Sequence, residues 1–266
     1  MELGRCLDQI MLLGEPPQTQ YDLRFQLFGI PVRVHPWFWV IAVLLGISGG
    51  GETPPVDLII WVGCVFVSIL VHELGHALAA LAYGWRPWIT LYSFGGLASY
   101  QPTRHDWRSQ VLISFAGPLA GFFFIAVTMA AVQASGHQVQ ILPNTPSIGF
   151  HTLFPPWAFF SPFESENVNT LIWYLWQINI LWGLLNLLPI YPLDGGQITR
   201  ELCLQGNRSR GIEQSLWISI VTAGGIVVLC LMNRQIYLAF MFGYLGYSSY
   251  SLLQQFSSGS SGGRPW

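Results

Sequence analysis

SILVHELGHALAALAYG, Ser68 to Gly84, places two histidines and a glutamate inside an otherwise apolar run. Its flanks, Ser68–Val71 and Ala77–Leu81, are apolar and helix-compatible. On a helix His72 and His76 stand at i and i+4, so both imidazoles share one face. Glu73 sits beside them. The chain around this stretch has 266 residues, 52% of them hydrophobic and only 9% charged. A soluble domain carries about a quarter charged residues, so this balance points to the bilayer. Ionisable groups at membrane depth are costly and mark function.

Working outward, six apolar runs fit spans of about 20 residues, the length a bilayer core asks for. They are Pro36–Ser48, Val56–Tyr83, Ser109–Val132, Thr170–Pro189, Leu216–Met232 and Ile236–Gln255. The first is short. All 11 basic residues are arginines, and ten of them fall on one side of this arrangement, with Arg234 alone opposite. That bias places both termini in the cytoplasm. Aromatic residues make up 15%, with 12 Trp, as interfacial belts require. Two further segments are strand-like: DLRFQLFGIPVRVHP before the first run, and PWITLYSFGGLASYQP after the second, with a Gly-Gly break. The fold class is therefore an all-α polytopic membrane protein of about six transmembrane helices with short membrane-associated β-strands. The organisation reads as a cytoplasmic segment at 1–34, a six-helix domain at 35–256 and a flexible tail at 257–266. The loop Gln133–Asn169 is expected on the external surface. No soluble module of useful size stands out, so regulation is expected from a partner.

Several function classes drop out. No basic tract long enough to follow a nucleic-acid backbone exists. The four cysteines are scattered, and form neither a disulfide framework nor a thiolate metal site. Without lysine there is no Ser–Lys dyad. Gly46–Gly49 spells a serine-protease-like GISG, but the histidines of the second run belong to His-Glu-x-x-His, and no span after it contains a histidine to pair with the serine. A pair of intramembrane aspartates is missing as well. His35, His105, His137 and His151 read as inert interface or loop residues.

His-Glu-x-x-His holds a divalent metal with its histidines and keeps the glutamate as a base. A hydrolytic zinc site uses three protein ligands and one open position. Ala79 and Ala82 occupy the places where an extended motif would put its further residues. Glu164 and Glu166 fall on the far side of the membrane, and Glu201 and Glu213 in a polar loop. Asp194, in NLLPIYPLDGG (Asn186 to Gly196), follows the cytoplasmic end of the fourth run, at the depth of the histidine pair. It is the best third ligand. Broken backbone around it, with Pro and Gly-Gly, is tolerated where it lines a cavity.

Together, HELGH and NLLPIYPLDGG resemble the site-2 protease family of intramembrane zinc metalloproteases. FGIPVRVHP, FGG and AGPLAG are similar to segments of that family, above all its sporulation-type bacterial branch, and the likeness runs from about Phe25 to about Gln214. The resemblance implies Zn2+ bound by His72, His76 and Asp194, with Glu73 as general base. It also implies that Asn186 steadies the oxyanion. The expected substrate is a single-span membrane protein in a bacterial cytoplasmic membrane, with a regulatory membrane partner. Members often carry a PDZ or CBS domain, and neither is read here.

A transmembrane substrate must unwind before its peptide bond reaches a metal, and its freed backbone groups then need partners. An exposed strand edge supplies them by strand addition. Trp88–Tyr100 is the candidate, with Phe94, Gly95 and Gly96 as substrate-binding residues. The rival reading is a non-hydrolytic zinc-binding membrane protein or a metal transporter. A transporter needs ionisable residues along a path across the membrane, and the outer halves of these runs lack them.

Overall fold

The computed structural model describes residues 15–47, 54–93, 95–102, 106–142, 157–206 and 210–261. Among them, the chain forms β1 (Leu23–Leu27), β2 (Ile30–Val34), α1 (Pro36–Ile47), α2 (Pro55–Ala82), β3 (Trp88–Tyr92), β4 (Gly95–Ser99), α3 (Trp107–Ala134), β5 (Val139–Leu142), β6 (Trp157–Phe160), α4 (Glu166–Asn186), α5 (Asp194–Gly206), α6 (Gly211–Met232) and α7 (Ile236–Ser261). The protein is thus mostly helical, with seven helices and two small sheets among the described residues. Three helices, α2, α3 and α6, are long and apolar enough to cross a membrane.

α2 starts with Pro55 at its first position, where the missing N–H costs nothing because that group has no helical partner. It ends at Gly84, whose φ of +78° is a left-handed conformation that suits glycine. There the Gly84 N–H donates to Leu81 O at 2.8 Å and the Trp85 N–H to Ala80 O at 3.2 Å, a Schellman ending. The sharp stop turns the chain back so that β3 and β4 pack along the side of α2.

The larger sheet has the order β1-β2-β3-β4. β1 and β2 form a hairpin through Phe28 and Gly29, both at positive φ. β2 pairs in parallel with β3, with α1 and α2 as the crossover. β3 and β4 are antiparallel, with Leu91 opposite Gly96 and Tyr92 opposite Gly95. β4 is therefore an edge strand. The sheet buries Ile30, Val32, Val34, Ile89 and Leu91 against Ile69, Leu70, Leu74 and Ala77 of α2.

α2, α3 and α4 pack on one another, and α5 lies between α3 and α6. Small residues allow close crossings, as membrane helices require. A Cβ at Gly75 of α2 would overlap the Ala116 carbonyl of α3, and one at Gly183 of α4 would lie 2.8 Å from the Phe122 ring. Asn179 of α4 donates to Ser68 Oγ of α2 at 2.8 Å. A second core forms where α6 and α7 pack together and enclose Ile190 of the loop before α5.

The structure departs from the sequence reading in several places. α1 has 12 residues, about 18 Å of helix, well short of a bilayer core of about 30 Å. The run at 170–189 lies in α4, whose Asn169, Gln177, Asn179 and Asn186 keep its apolar character down. The segment after Asp194 is a helix, α5, and Glu201 is buried on it rather than set in a polar loop. The helix, DGGQITRELCLQG, is amphipathic, and it packs on α3 and α6. Gly95 and Gly96 belong to β4, not to the break between strands. α7 continues to Ser261, into the stretch expected as a tail. Phe94, His105 and His151 lie outside the described residues.

Candidate active site

His72, Glu73 and His76 project from the middle of α2, and all three are buried. Asp194 occupies the first position of α5, where a carboxylate is favoured by the N-terminal backbone amides. Although 122 residues separate them in sequence, His72 Nε2 and Asp194 Oδ2 are 3.1 Å apart. His76 Nε2 lies 3.1 Å from His72 Nε2 and 3.3 Å from Asp194 Oδ1. Three ligand atoms therefore converge on one point, and theirs is a metal-sized group.

The second nitrogen of His76 has its own partner. Nδ1 lies 2.7 Å from the Ile113 carbonyl oxygen of α3. A carbonyl only accepts, so Nδ1 carries the proton and Nε2 turns a lone pair to the cluster. Electron-pair donors aimed at each other at 3.1–3.3 Å repel unless a shared proton or a metal cation sits among them. Donors held at about 2.0–2.2 Å from a tetrahedral zinc are themselves about 3.3–3.5 Å apart. The residues present fit such an ion in both spacing and chemistry. Gly117, in the AGPLAG segment of α3, makes the approach possible, because any Cβ there would overlap the His76 ring.

Glu73 is 4% exposed and accepts a hydrogen bond from the Ala98 backbone N–H of β4. Gly96 lies so close to Glu73 that a Cβ at that position would overlap the carboxylate. The edge strand and the glutamate are thus in direct contact. Gly95, at φ +120°, abuts Trp182 of α4, where a Cβ would come within 2.8 Å of the indole. The same indole stands edge-on to His72, 6.3 Å between ring centroids.

Asn186 is buried at the end of α4, and its amide donates to the Trp182 carbonyl at 2.9 Å, one turn back. It is not one of the three converging groups. His35 and His137 are engaged structurally: His35 Nδ1 accepts from the Trp37 N–H at 3.3 Å, and His137 Nδ1 lies 2.8 Å from Ser161 O. Sequence reasoning missed Trp182, the Ile113 carbonyl and the task of Gly117. Only Gly117 left a signal, as a glycine beside Pro118 inside an apolar run.

A family model described as peptidase family M50 matches residues 60–232, which contain every ligand named above. The chain belongs to peptidase family M50. Among similar proteins, sll0528 of Synechocystis, named for a zinc metalloprotease, is 31% identical over 201 residues, covering 70% of this chain and 45% of the relative. Zinc metalloprotease MJ0392 of Methanocaldococcus jannaschii is 27% identical over 237 residues, covering 85% of this chain and 59% of the relative. The chain thus spans about half the length of these curated relatives. A solved structure titled a site-2 protease from Methanocaldococcus jannaschii superposes with a TM-score of 0.55 at 23% identity, over 88% of this chain and 95% of that one. That likeness shows that the two chains share a fold.

Proposed function

We propose that this chain is an intramembrane zinc metalloendopeptidase that hydrolyses a peptide bond within or beside the transmembrane helix of a single-span membrane protein. The observation that carries the reading is the convergence of His72, His76 and Asp194 with buried Glu73 alongside. Membership in a peptidase family and the zinc named for the archaeal relative support it.

His72 Nε2, His76 Nε2 and an Asp194 oxygen would hold the zinc. When bound, the ion polarises the scissile carbonyl and makes water a competent nucleophile near neutral pH. Glu73 takes the proton from the attacking water and returns it to the leaving amine. Asn186 exchanges its bond to the Trp182 carbonyl for the developing oxyanion, a contribution typically worth a few kcal/mol. The free edge of β4, through Gly95 and Gly96 together with Phe94, takes up the unwound substrate backbone by strand addition. The contact between Ala98 and Glu73 supports this, since a strand added there lies against the base.

Six crossings, α1, α2, α3, α4, α6 and α7, complete the reading. Arg24 and Arg33 before α1, and Arg86 after α2, share one side by the arginine bias, so α1, although short for a bilayer core, is read as crossing with α2. The termini and the site then face the cytoplasm of a bacterial cell, and a regulatory membrane partner is expected. The test is Glu73→Gln with a co-expressed single-span substrate. The variant should keep zinc and lose cleavage. Cleavage that persists in it removes the mechanism, and wild-type protein purified without stoichiometric zinc removes the site.

A further inference from the structure

The third ligand opens α5 directly after a loop, 187–193, that interrupts the chain between α4 and α5. Loops of this kind have no regular ladder to hold them, so each backbone group must find its own partner. At Tyr191, three residues before Asp194, both backbone groups find side chains from the last two helices. The Tyr191 N–H donates to Ser219 Oγ of α6 at 3.1 Å. The Tyr191 carbonyl lies 3.3 Å from Ser249 Oγ of α7. Ser219 and Ser249 are 1% and 0% exposed.

The hydroxyl protons agree with this arrangement. Ser219 Oγ donates to Ser215 O of its own helix at 2.9 Å, which leaves a lone pair for the loop N–H. Ser249 Oγ shares its one proton between Leu245 O at 3.0 Å and the loop carbonyl. Ile190, fully buried, anchors the same loop among Ala223, Ala239, Phe242 and Leu245. On the other side, Gly195 and Gly196 press against the backbone of Leu187, Leu188, Ile190 and Tyr191. The loop therefore cannot move without moving Asp194.

We infer that Ser219 and Ser249 are positioning residues, which clamp Tyr191 and so fix the Asp194 carboxylate for metal binding. The inference rests on the reading of Asp194 as a metal ligand. It gives α6 and α7 a task in the site although neither contributes a ligand. Groups that orient metal ligands through hydrogen bonds typically change metal affinity about 10–100-fold when removed.

The experiment measures zinc retention of the purified full chain against a graded chelator series, alongside amide exchange of the peptide covering 188–197. Ser219→Ala and Ser249→Ala should each lose zinc at roughly tenfold lower chelator concentration, the lower end of that range. Exchange at 188–197 should rise while that of α2 stays as in wild type. Ser219→Thr, which keeps the hydroxyl, should restore retention. Ser215→Ala, whose hydroxyl donates to Ile212 O in its own helix, should match wild type. Should Ser219→Ala fail to fold, Ser219→Cys, close in volume and a poor acceptor, takes its place. Wild-type retention in both serine variants overturns the clamp, and so does equal zinc loss in Ser215→Ala. Wild-type protein without zinc overturns instead the ligand reading on which the clamp depends.

Discussion

The His76 imidazole is held from two sides: its Nδ1 lies 2.7 Å from the Ile113 carbonyl, and Gly117, one turn further along α3, leaves room for its ring. One helix thus sets both the tautomer and the position of a ligand on another. The histidine's orientation does not depend on α2 alone.

Filling that space has a defined consequence. Gly117→Val would drive a side chain into the His76 ring, and the imidazole would have to turn away from Asp194. Zinc affinity is expected to fall about 10–100-fold, with a smaller loss of fold stability of about 1–3 kcal/mol from overpacking. Zinc content after dialysis checks this. Full zinc occupancy in the variant would show that the glycine is only a packing convenience.

The contact between Gly96 and Glu73 makes a complementary prediction. Gly96→Val suits a strand but pushes on the Glu73 carboxylate. Zinc should remain while turnover drops by about 10² or more, the usual worth of a positioned base. Parallel measurement of zinc content and substrate cleavage separates this outcome from that of Gly117→Val.

Asn179 and Ser68 tie α4 to α2 at 2.8 Å, with Asn179 also bonded to Leu175 O of its own helix. Asn179→Ala should lower stability by about 0.5–1.5 kcal/mol, the range for hydrogen bonds between membrane helices. Metal content should be unaffected. Thermal unfolding in detergent and metal analysis test the two halves, and a loss of zinc would place Asn179 in the site after all.

Strong acid should loosen the segment before the sheet. Arg33 Nη1 bonds to Asp22 Oδ2 at 3.1 Å, and Nη2 to Glu15 at 2.8 Å. Burial by itself raises the Asp22 pKa, but hydrogen bonds from Thr19 and Arg33 outweigh it and hold the carboxyl at about 2, below its ordinary 3.8. A lowered carboxyl pKa stabilises the fold above the unfolded value and loses that contribution as pH falls through the folded one. The stability difference between wild type and Asp22→Asn should therefore be full near pH 6 and shrink between pH 3.8 and about 2. Unfolding midpoints across that range provide the measurement. A difference that does not change with pH would contradict the assignment.

Chelation should abolish cleavage, and added zinc should restore it. An apo protein that keeps its helical content and regains activity would assign the metal to chemistry rather than to folding. Irreversible unfolding on chelation would instead make the ion structural, against the three-ligand arrangement.

Much of this site could be read along the chain because its parts are local. His72, Glu73 and His76 lie within five residues of one helix, where 3.6-residue periodicity fixes their faces. The strand-like character of Leu23–Leu27, Ile30–Val34 and Trp88–Tyr92 was likewise visible in β-branched and aromatic residues, whereas Gly95–Ser99, GGLAS, carries neither and is a strand through its pairing with Trp88–Tyr92. Asp194 was reachable by one long step, because arginine bias puts it on the same side as the histidines. α5 was not visible. Its opening DGG reads as a turn, and only packing on α3 and α6 makes it helical from Asp194 onward.

The sequence by itself determined a membrane protein, the histidine pair with its base, and the carboxylate that joins them. Each follows from composition, from the geometry of a single helix or from the arginine bias. Tertiary structure alone decided that the Ile113 carbonyl fixes His76, that β4 runs against Glu73, and that Ser219 and Ser249 grip Tyr191. These partners are 37, 28 and 58 residues apart for the His76, Ser219 and Ser249 bonds. No local propensity encodes such distances. They exist only because closely crossing helices bring buried backbone groups to the few side chains able to satisfy them.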